Sequence, residues 1–143
     1  MTTRSALGGR AVYPGTFDPL TPGHLDIIAR ARRLFGHVTV LVAINRAKTP
    51  ATAPIARATA IREALPSAWD NVGVTPWEGL TAAYCAENDV RVIVRGVRNV
   101  ADIQHEYELA GMNQSLGVTT LLLPTRPHLA STSSTAARLL GRR

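Results

Sequence analysis

Tyr13-Pro14-Gly15-Thr16-Phe17-Asp18-Pro19-Leu20-Thr21-Pro22-Gly23-His24 decides how this chain folds and what it holds. A short apolar strand over residues 11–13 runs into a turn rich in glycine and proline, and the turn runs into a helix. Thr21 is a good N-cap and Pro22 suits the first helical position, so the sequence predicts unpaired backbone amides there. Unpaired amides and the positive end of the helix dipole form a seat for phosphate. His24, in the first helical turn, then points at the bound anion.

Short apolar runs and helical patterns alternate on either side of that stretch. Residues 11–13, 38–44, 72–75, 90–94 and 118–123 read as strands. Helices are expected over 21–35, 54–65, 80–88, 100–116 and 133–140. The nearly unbroken apolar run 38–44 suits a parallel strand covered on both faces. The alternation implies an α/β fold: one Rossmann-like domain over 10–143, with a five-stranded parallel sheet flanked by helices. Residues 1–9 are small, polar and aperiodic, and are expected to be a loose tail. Polar clusters follow four of the strands, at 15–24, 45–48, 95–98 and 124–135. Ligands of open α/β sheets bind outside those strand ends, so the clusters are expected to share one crevice.

Composition narrows the function. The chain has 143 residues, is 45% hydrophobic and 18% charged, and suits one globular domain. No apolar run approaches a membrane span and the start lacks a signal-peptide core, so a cytoplasmic protein is expected. The single cysteine, Cys85, excludes an internal disulfide or a multi-cysteine zinc site. A net charge of +6 suits nucleotides and other polyanions. The basic residues are scattered and aromatics are only 5%, which argues against a nucleic-acid binder. Lys48 is the only lysine among sixteen basic residues. P-loop, dinucleotide-fingerprint, zinc-protease and nucleophile-elbow motifs are absent.

Gly15-Thr16-Phe17-Asp18-Pro19 with Thr21-x-Gly23-His24 resembles the nucleotidyltransferase superfamily that shares its Gly-His motif with class I aminoacyl-tRNA synthetases. Within it the sequence is most similar to the bacterial pantetheine-phosphate adenylyltransferases. Asn45-x-x-Lys48, Arg95-Gly96-Val97-Arg98 and Thr132-Ser133-Ser134-Thr135-x-x-Arg138 fit that family in order and spacing, over residues 10 to 140. The resemblance implies transfer of AMP from ATP to 4'-phosphopantetheine, giving dephospho-coenzyme A and pyrophosphate. It implies Mg2+ carried with the ATP phosphates, no protein metal cage, no nucleic-acid or membrane partner, and a homo-oligomer, in the family a hexamer.

Residue by residue, the resemblance makes His24, Lys48 and Arg95 the catalytic groups. It assigns ATP to Thr16, Phe17, His24, Gly96, Val97, Arg98, Glu106, Ser133, Ser134 and Thr135. The acceptor falls to Thr16, Lys48, Thr81 and Arg95. Glu106, rather than Glu108, is the carboxylate expected on the ATP ribose side. His37, His105 and His128 stay unassigned. Relatives carry an aromatic and acidic residues ahead of the arginine matching Arg57, where this sequence has the bland stretch 51–56. The family also continues past the Ser/Thr motif where this sequence ends at Arg143, which marks a divergent, C-terminally short member. Both departures bear on the acceptor pocket and subunit contacts more than on the ATP site. Two other readings stay open: a nucleotidyltransferase for another phosphorylated acceptor such as nicotinamide mononucleotide, and a nucleotide-binding regulator without turnover.

Overall fold

The computed structural model describes residues 7–44 and 53–126. Among them nine elements alternate: β1 (Arg10–Gly15), α1 (Pro22–Leu34), β2 (His37–Ile44), α2 (Pro54–Ala64), β3 (Val72–Glu78), α3 (Thr81–Asn88), β4 (Val92–Val97), α4 (Val100–Ser115) and β5 (Thr119–Pro124). The five strands form one parallel sheet in the order β3-β2-β1-β4-β5. This is the expected Rossmann-like α/β architecture. The helix expected over 133–140 lies outside the described residues.

β2 explains why the sheet needs cover on both sides. Its inner residues Val38 to Val42 are all buried. Val38, Val40 and Val42 join Ile27, Ile28 and Ala31 of α1 and Ala58 and Ile61 of α2 in one cluster. Leu41 joins Val12, Ile93, Ala82 and Cys85 in a second. Alternation along the strand has therefore put α1 and α2 on one face and α3 on the other. Cys85 is a buried core residue whose thiol is pushed up by burial.

Three strands run further than the sequence suggests. β1 takes in Pro14 and Gly15, read as the start of the turn, which pair with Leu41 and Val42. β3 continues to Glu78 through Pro76, which an edge strand tolerates because its outer side has no ladder to supply. β4 starts at Val92 and takes in Arg95, Gly96 and Val97, expected to lie in a turn beyond it. Gly96 and Val97 pair with Leu123 and Pro124, so β5 holds this motif extended. Strand alternation then decides direction. Arg95 shares the face of Ile93, toward α4, while Gly96 shares that of Val94, toward α1. A Cβ on Gly96 would lie 3.2 Å from Ile27 Cγ1, so glycine there lets α1 pack close to β4.

Residues 7–9 are tied to the α1–β2 turn. Leu7 N–H donates to the Leu34 carbonyl at 2.7 Å, and the Gly9 carbonyl accepts from His37 N–H at 3.1 Å. At the other end Asp26 of α1 ion-pairs with Arg30 and Arg126, each at 3.0 Å, which fastens the exit of β5 to α1. Among the described residues no helix is long and apolar enough to cross a membrane.

Ile28 is fully buried where α1 meets the sheet. Ile28→Ala should lower the unfolding free energy by about 2–5 kcal/mol. Denaturant titration measures it; a loss well under 1 kcal/mol would mean that this face of α1 does not hold the fold.

Candidate active site

The strand order reverses between β1 and β4, and a cleft of about 670 Å³ opens at their carboxyl ends. The β1–α1 turn, the first turn of α1, the end of β4 and the first half of α4 line it.

His24 is fixed by the start of α1. Thr21 is the N-cap: its hydroxyl accepts from His24 N–H at 3.2 Å, and its own N–H donates to His24 Nδ1 at 3.0 Å. Nδ1 is thus an acceptor, and a neutral imidazole in that state carries its proton on Nε2. Burial, with Arg98 and Arg95 nearby, holds the His24 pKa below its usual value, so the ring is neutral near pH 7. The same capping box consumes amides the sequence left unpaired. Thr21 N–H goes to the ring, Pro22 has none, His24 N–H goes to the hydroxyl, and Leu25 N–H goes to the Thr21 carbonyl. Gly23, which lines the cleft, keeps the one first-turn N–H without a partner among the described residues. The anion seat is a single amide and an imidazole donor, not an open ring of amides.

The turn ahead of it is held by packing. Phe17 is buried with φ of 50°, and its ring meets those of His24 and Tyr13 edge-on at 5.0 and 5.2 Å. Phe17 folds back over Gly15, where a Cβ would lie only 2.9 Å from its Cζ. Glycine at 15 is therefore a requirement of the Phe17 position. Burial pushes Tyr13 up to about 12, against the pull of Arg95, so it remains a phenol. Arg57 of α2, itself buried, donates to the Thr16 and Ala43 carbonyls. The arginine that follows the bland stretch thus fastens the turn on which Thr16 sits.

Two arginines of the β4 motif meet two carboxylates one helical turn apart on α4. Glu106 accepts from Arg95 Nε at 3.1 and 3.0 Å and from Nη2 at 2.7 Å, while Arg95 Nη1 donates to the Pro14 carbonyl at 2.8 Å. The β1–β4 register is Val12 opposite Ile93, and beyond it the Arg95 side chain reaches from β4 to the Pro14 carbonyl of β1. Arg98 donates to Asp102 from its backbone N–H at 2.9 Å and from Nε at 3.3 Å, in a more exposed pair. Asn99 caps the helix, its side chain accepting from Asp102 N–H at 2.9 Å.

Of the residues expected to serve the site, Thr16, Phe17, His24, Arg95, Gly96, Arg98 and Glu106 line this one cleft. Val97 points into the core, and its carbonyl accepts from Thr125 N–H. Thr81 opens α3 and is not among the lining residues. Lys48, Ser133, Ser134 and Thr135 lie outside the described residues. His105 and Asp102, which the sequence analysis left without a role, also line the cleft. Their helical spacing to Arg98 and Glu106 was the available signal. Among the described residues no three His, Cys, Asp or Glu side chains gather as a metal site.

The neutral ring has a measurable signature. The folded pKa of His24 lies below the unfolded value of about 6.5. The stability that its neutral form contributes is complete above about 6.5 and is lost as pH falls through the folded value. Nitrogen-15 NMR of the ligand-free protein should show protonated Nε2, bare Nδ1 and a midpoint below 6.5. An Nδ1-protonated tautomer would refute the capping geometry. Gly15→Ala should displace Phe17 and destabilise the fold by about 1–3 kcal/mol, read in denaturant titration.

A family model described as cytidylyltransferase-like matches residues 12–139. Among curated relatives, the phosphopantetheine adenylyltransferase of Thioalkalivibrio sulfidiphilus is 47% identical over 130 residues, 90% of this chain and 81% of the relative. That of Frankia casuarinae is 44% identical over 137 residues, covering 93% and 85%. That of Leptospira biflexa is 42% identical over 134 residues, covering 92% and 83%. Solved structures share the fold at low identity. The lipopolysaccharide core biosynthesis protein of Thermoplasma volcanium matches with a TM-score of 0.59 at 23% identity, over 82% of this chain and 96% of that one. NadR protein, solved with NAD and AMP-PNP, matches with a TM-score of 0.56 at 20% identity, over 94% and 43%. With these matches spanning the cleft motifs, the chain belongs to the phosphopantetheine adenylyltransferase family of cytidylyltransferase-like nucleotidyltransferases.

Proposed function

We infer that the protein is an adenylyltransferase of coenzyme A biosynthesis, moving AMP from ATP to 4'-phosphopantetheine. A phosphate oxygen of the acceptor attacks the α-phosphorus of ATP in line. The new P–O bond forms as the bond to the bridging α–β oxygen breaks, and the electron pair leaves with pyrophosphate. The observation that carries this reading is the Nε2–H donor of His24, set beside the Gly23 amide, Arg95 and Arg98 in one cleft. Relatives that are 42% and 47% identical carry the adenylyltransferase name over most of their length.

The acceptor phosphate is already an anion and needs no general base. Catalysis is alignment and charge stabilisation: His24 donates to the α-phosphate as charge builds, and Arg95 receives the acceptor phosphate. Thr16 offers its hydroxyl to both substrates. By motif match, Lys48 steadies the reacting phosphates, Ser133, Ser134 and Thr135 hold the outer phosphates, and Thr81 meets the acceptor. The Phe17, Gly96 and Val97 backbones and Arg98 flank ATP. Two of the three cleft carboxylates, Glu106 and Asp102, are paired with arginines and no three such groups gather among the described residues, so Mg2+ fits as a companion of the triphosphate and water rather than of a protein cage. Mg2+ supplies neutralisation of the leaving pyrophosphate. Cytoplasmic location and a homo-oligomer, a hexamer as in the family, belong to the same reading. Exposed Val100, Ile103 and Tyr107 at helical spacing on α4 supply an apolar stripe for a subunit contact.

With Mg2+ present, the protein should make ATP from dephospho-coenzyme A and pyrophosphate, the reverse reaction. His24→Ala should lower kcat by about 10²–10³ with little change in KM, because the donor acts on charge that develops in the transition state. A variant within a few-fold of wild type would take His24 out of the chemistry. No ATP from dephospho-coenzyme A, with pyrophosphate released from ATP and nicotinamide mononucleotide, would move the assignment to the other acceptor.

A further inference from the structure

Resting on the reading in which Arg95 meets the acceptor phosphate and Thr81 the rest of the acceptor, we propose that Trp77 is a positioning residue for acceptor binding. Its indole N–H fixes the corner between β3 and α3, and with it Leu80 and Thr81, before any substrate arrives.

α3 has a weak start of its own. Its N-cap is Leu80, which makes no side-chain cap bond, and no acidic residue stands in its first turn. The chain reaches it through Gly79, whose φ of 116° suits glycine alone. Leu80 is 67% exposed, so burial of its side chain does not anchor the corner. Trp77 anchors it instead. Its Nε1–H donates to the Leu80 carbonyl at 2.9 Å, and that carbonyl also accepts from the N–H groups of Ala83 and Tyr84 at 3.1 and 3.3 Å. The indole meets the Tyr84 ring edge-on at 5.2 Å, one turn into α3. Both rings pack against the cluster that holds Leu41, Ala82 and Cys85. One side chain thus holds the carbonyl at the start of the helix and the end of its first turn. A phenyl ring could pack there but has no N–H to donate.

The corner stands where an extended acceptor would pass. Sheet register sets Gly15 beside Val42 and Trp77 beside Ala43, so Trp77 lies at the carboxyl edge that opens into the cleft. Trp77 packs on the face of Val12, Leu41 and Ile93, the face that Arg95 shares. Between β4 and β3 lie β1 and β2, so three strand spacings of about 4.8 Å set the two residues about 14 Å apart along that edge. The positions between them on this face carry Pro14 and Ala43, neither of which projects a long side chain. Arg95 lines the cleft and Thr81 lies outside it, so an acceptor that meets both must run along the edge. Fixing Leu80 and Thr81 beforehand spares that acceptor the cost of ordering them.

Kinetics of Trp77→Phe in the reverse reaction, with dephospho-coenzyme A and pyrophosphate, test this. The variant keeps an aromatic ring on Tyr84, and the Leu80 carbonyl keeps its two helical donors, so the fold is retained. KM for dephospho-coenzyme A should rise about 5- to 10-fold, the loss of one hydrogen bond, while kcat and the KM for pyrophosphate stay within about twofold. A fall in kcat with every KM unchanged would overturn the proposal. An active wild type with the same KM for dephospho-coenzyme A in the variant would overturn it alone. Wild-type protein inert toward dephospho-coenzyme A would overturn the acceptor reading and this proposal with it. Should Trp77→Phe fail to fold, proton NMR of the wild type carries the test. Trp69 and Trp77 are the only two tryptophans, and Trp69→Phe assigns their indole resonances. The Trp69 indole has no hydrogen-bond partner among the described residues. The Trp77 Nε1–H should exchange with water about tenfold more slowly than that of Trp69, and shift with dephospho-coenzyme A but not with ATP alone. Exchange as fast as at Trp69, or an equal shift with ATP alone, would refute the role of the corner.

Discussion

Because β2 and β3 are added on one side of β1 while β4 and β5 are added on the other, the crossover helices part above the seam between β1 and β4. Right-handed connections force this: α1 and α2 cover one face, α3 and α4 the other, and no helix closes the strand ends between them. Apart from Thr125, which follows β5, the polar groups of the cleft reach it from β1, β4 and the segments that leave them. Gly15 to His24 leave β1, Arg95 to Arg98 end β4, and Asp102 and Glu106 begin the helix that follows. The constraint also explains why Arg95 donates to the Pro14 carbonyl. The β1–β4 register is Val12 opposite Ile93, and the Pro14 carbonyl beyond it accepts from the Arg95 side chain.

How much of this the sequence discloses depends on whether a residue's burial follows from its own chemistry. β2 is legible because both faces are covered and every inner residue but Thr39 is apolar. The N-cap of α1 is legible because Thr21, Pro22 and Gly23 each have a local reason for their places. The extension of β4 through Arg95 is not, since a charged residue next to glycine reads as a turn until β5 is seen to pair with it. Glu106 is named in the sequence only by resemblance, as a carboxylate on the ATP ribose side, and nothing within α4 reveals the arginine beneath it. Amides read as unpaired at the start of α1 are consumed within the capping box, Thr21 N–H by the His24 ring and His24 N–H by the Thr21 hydroxyl. Arg57 is legible only as a family position; its hold on Thr16 and Ala43 joins segments far apart in the chain.

The two arginine–carboxylate pairs set the electrostatic character of the cleft. A site for a tetra-anionic nucleotide built from unpaired arginines would repel itself when empty and grip substrate and product alike. Pairing each arginine with a carboxylate of α4 lowers that self-repulsion and keeps the guanidinium planes oriented. The difference in exposure between the pairs separates their roles. The buried pair gives direction, and the exposed pair yields to an incoming phosphate.

The neutral state of His24 follows from the same arrangement and completes it. With Arg95 and Arg98 beside it and most of its ring out of water, a third cation would be disfavoured. Protonation at Nδ1 would also remove the acceptor that Thr21 N–H uses, loosening the turn that aims the ring. A permanent imidazolium would bind ground-state triphosphate through charge that ATP already carries, which lowers KM without raising kcat. A neutral Nε2–H, fixed in place by the capping box, interacts modestly with the ground state. It interacts more strongly as charge accumulates on the α-phosphate oxygens in the transition state. Thr21 at the N-cap, proline without an N–H at the next position and a bare glycine before the histidine are what place that donor and fix its tautomer.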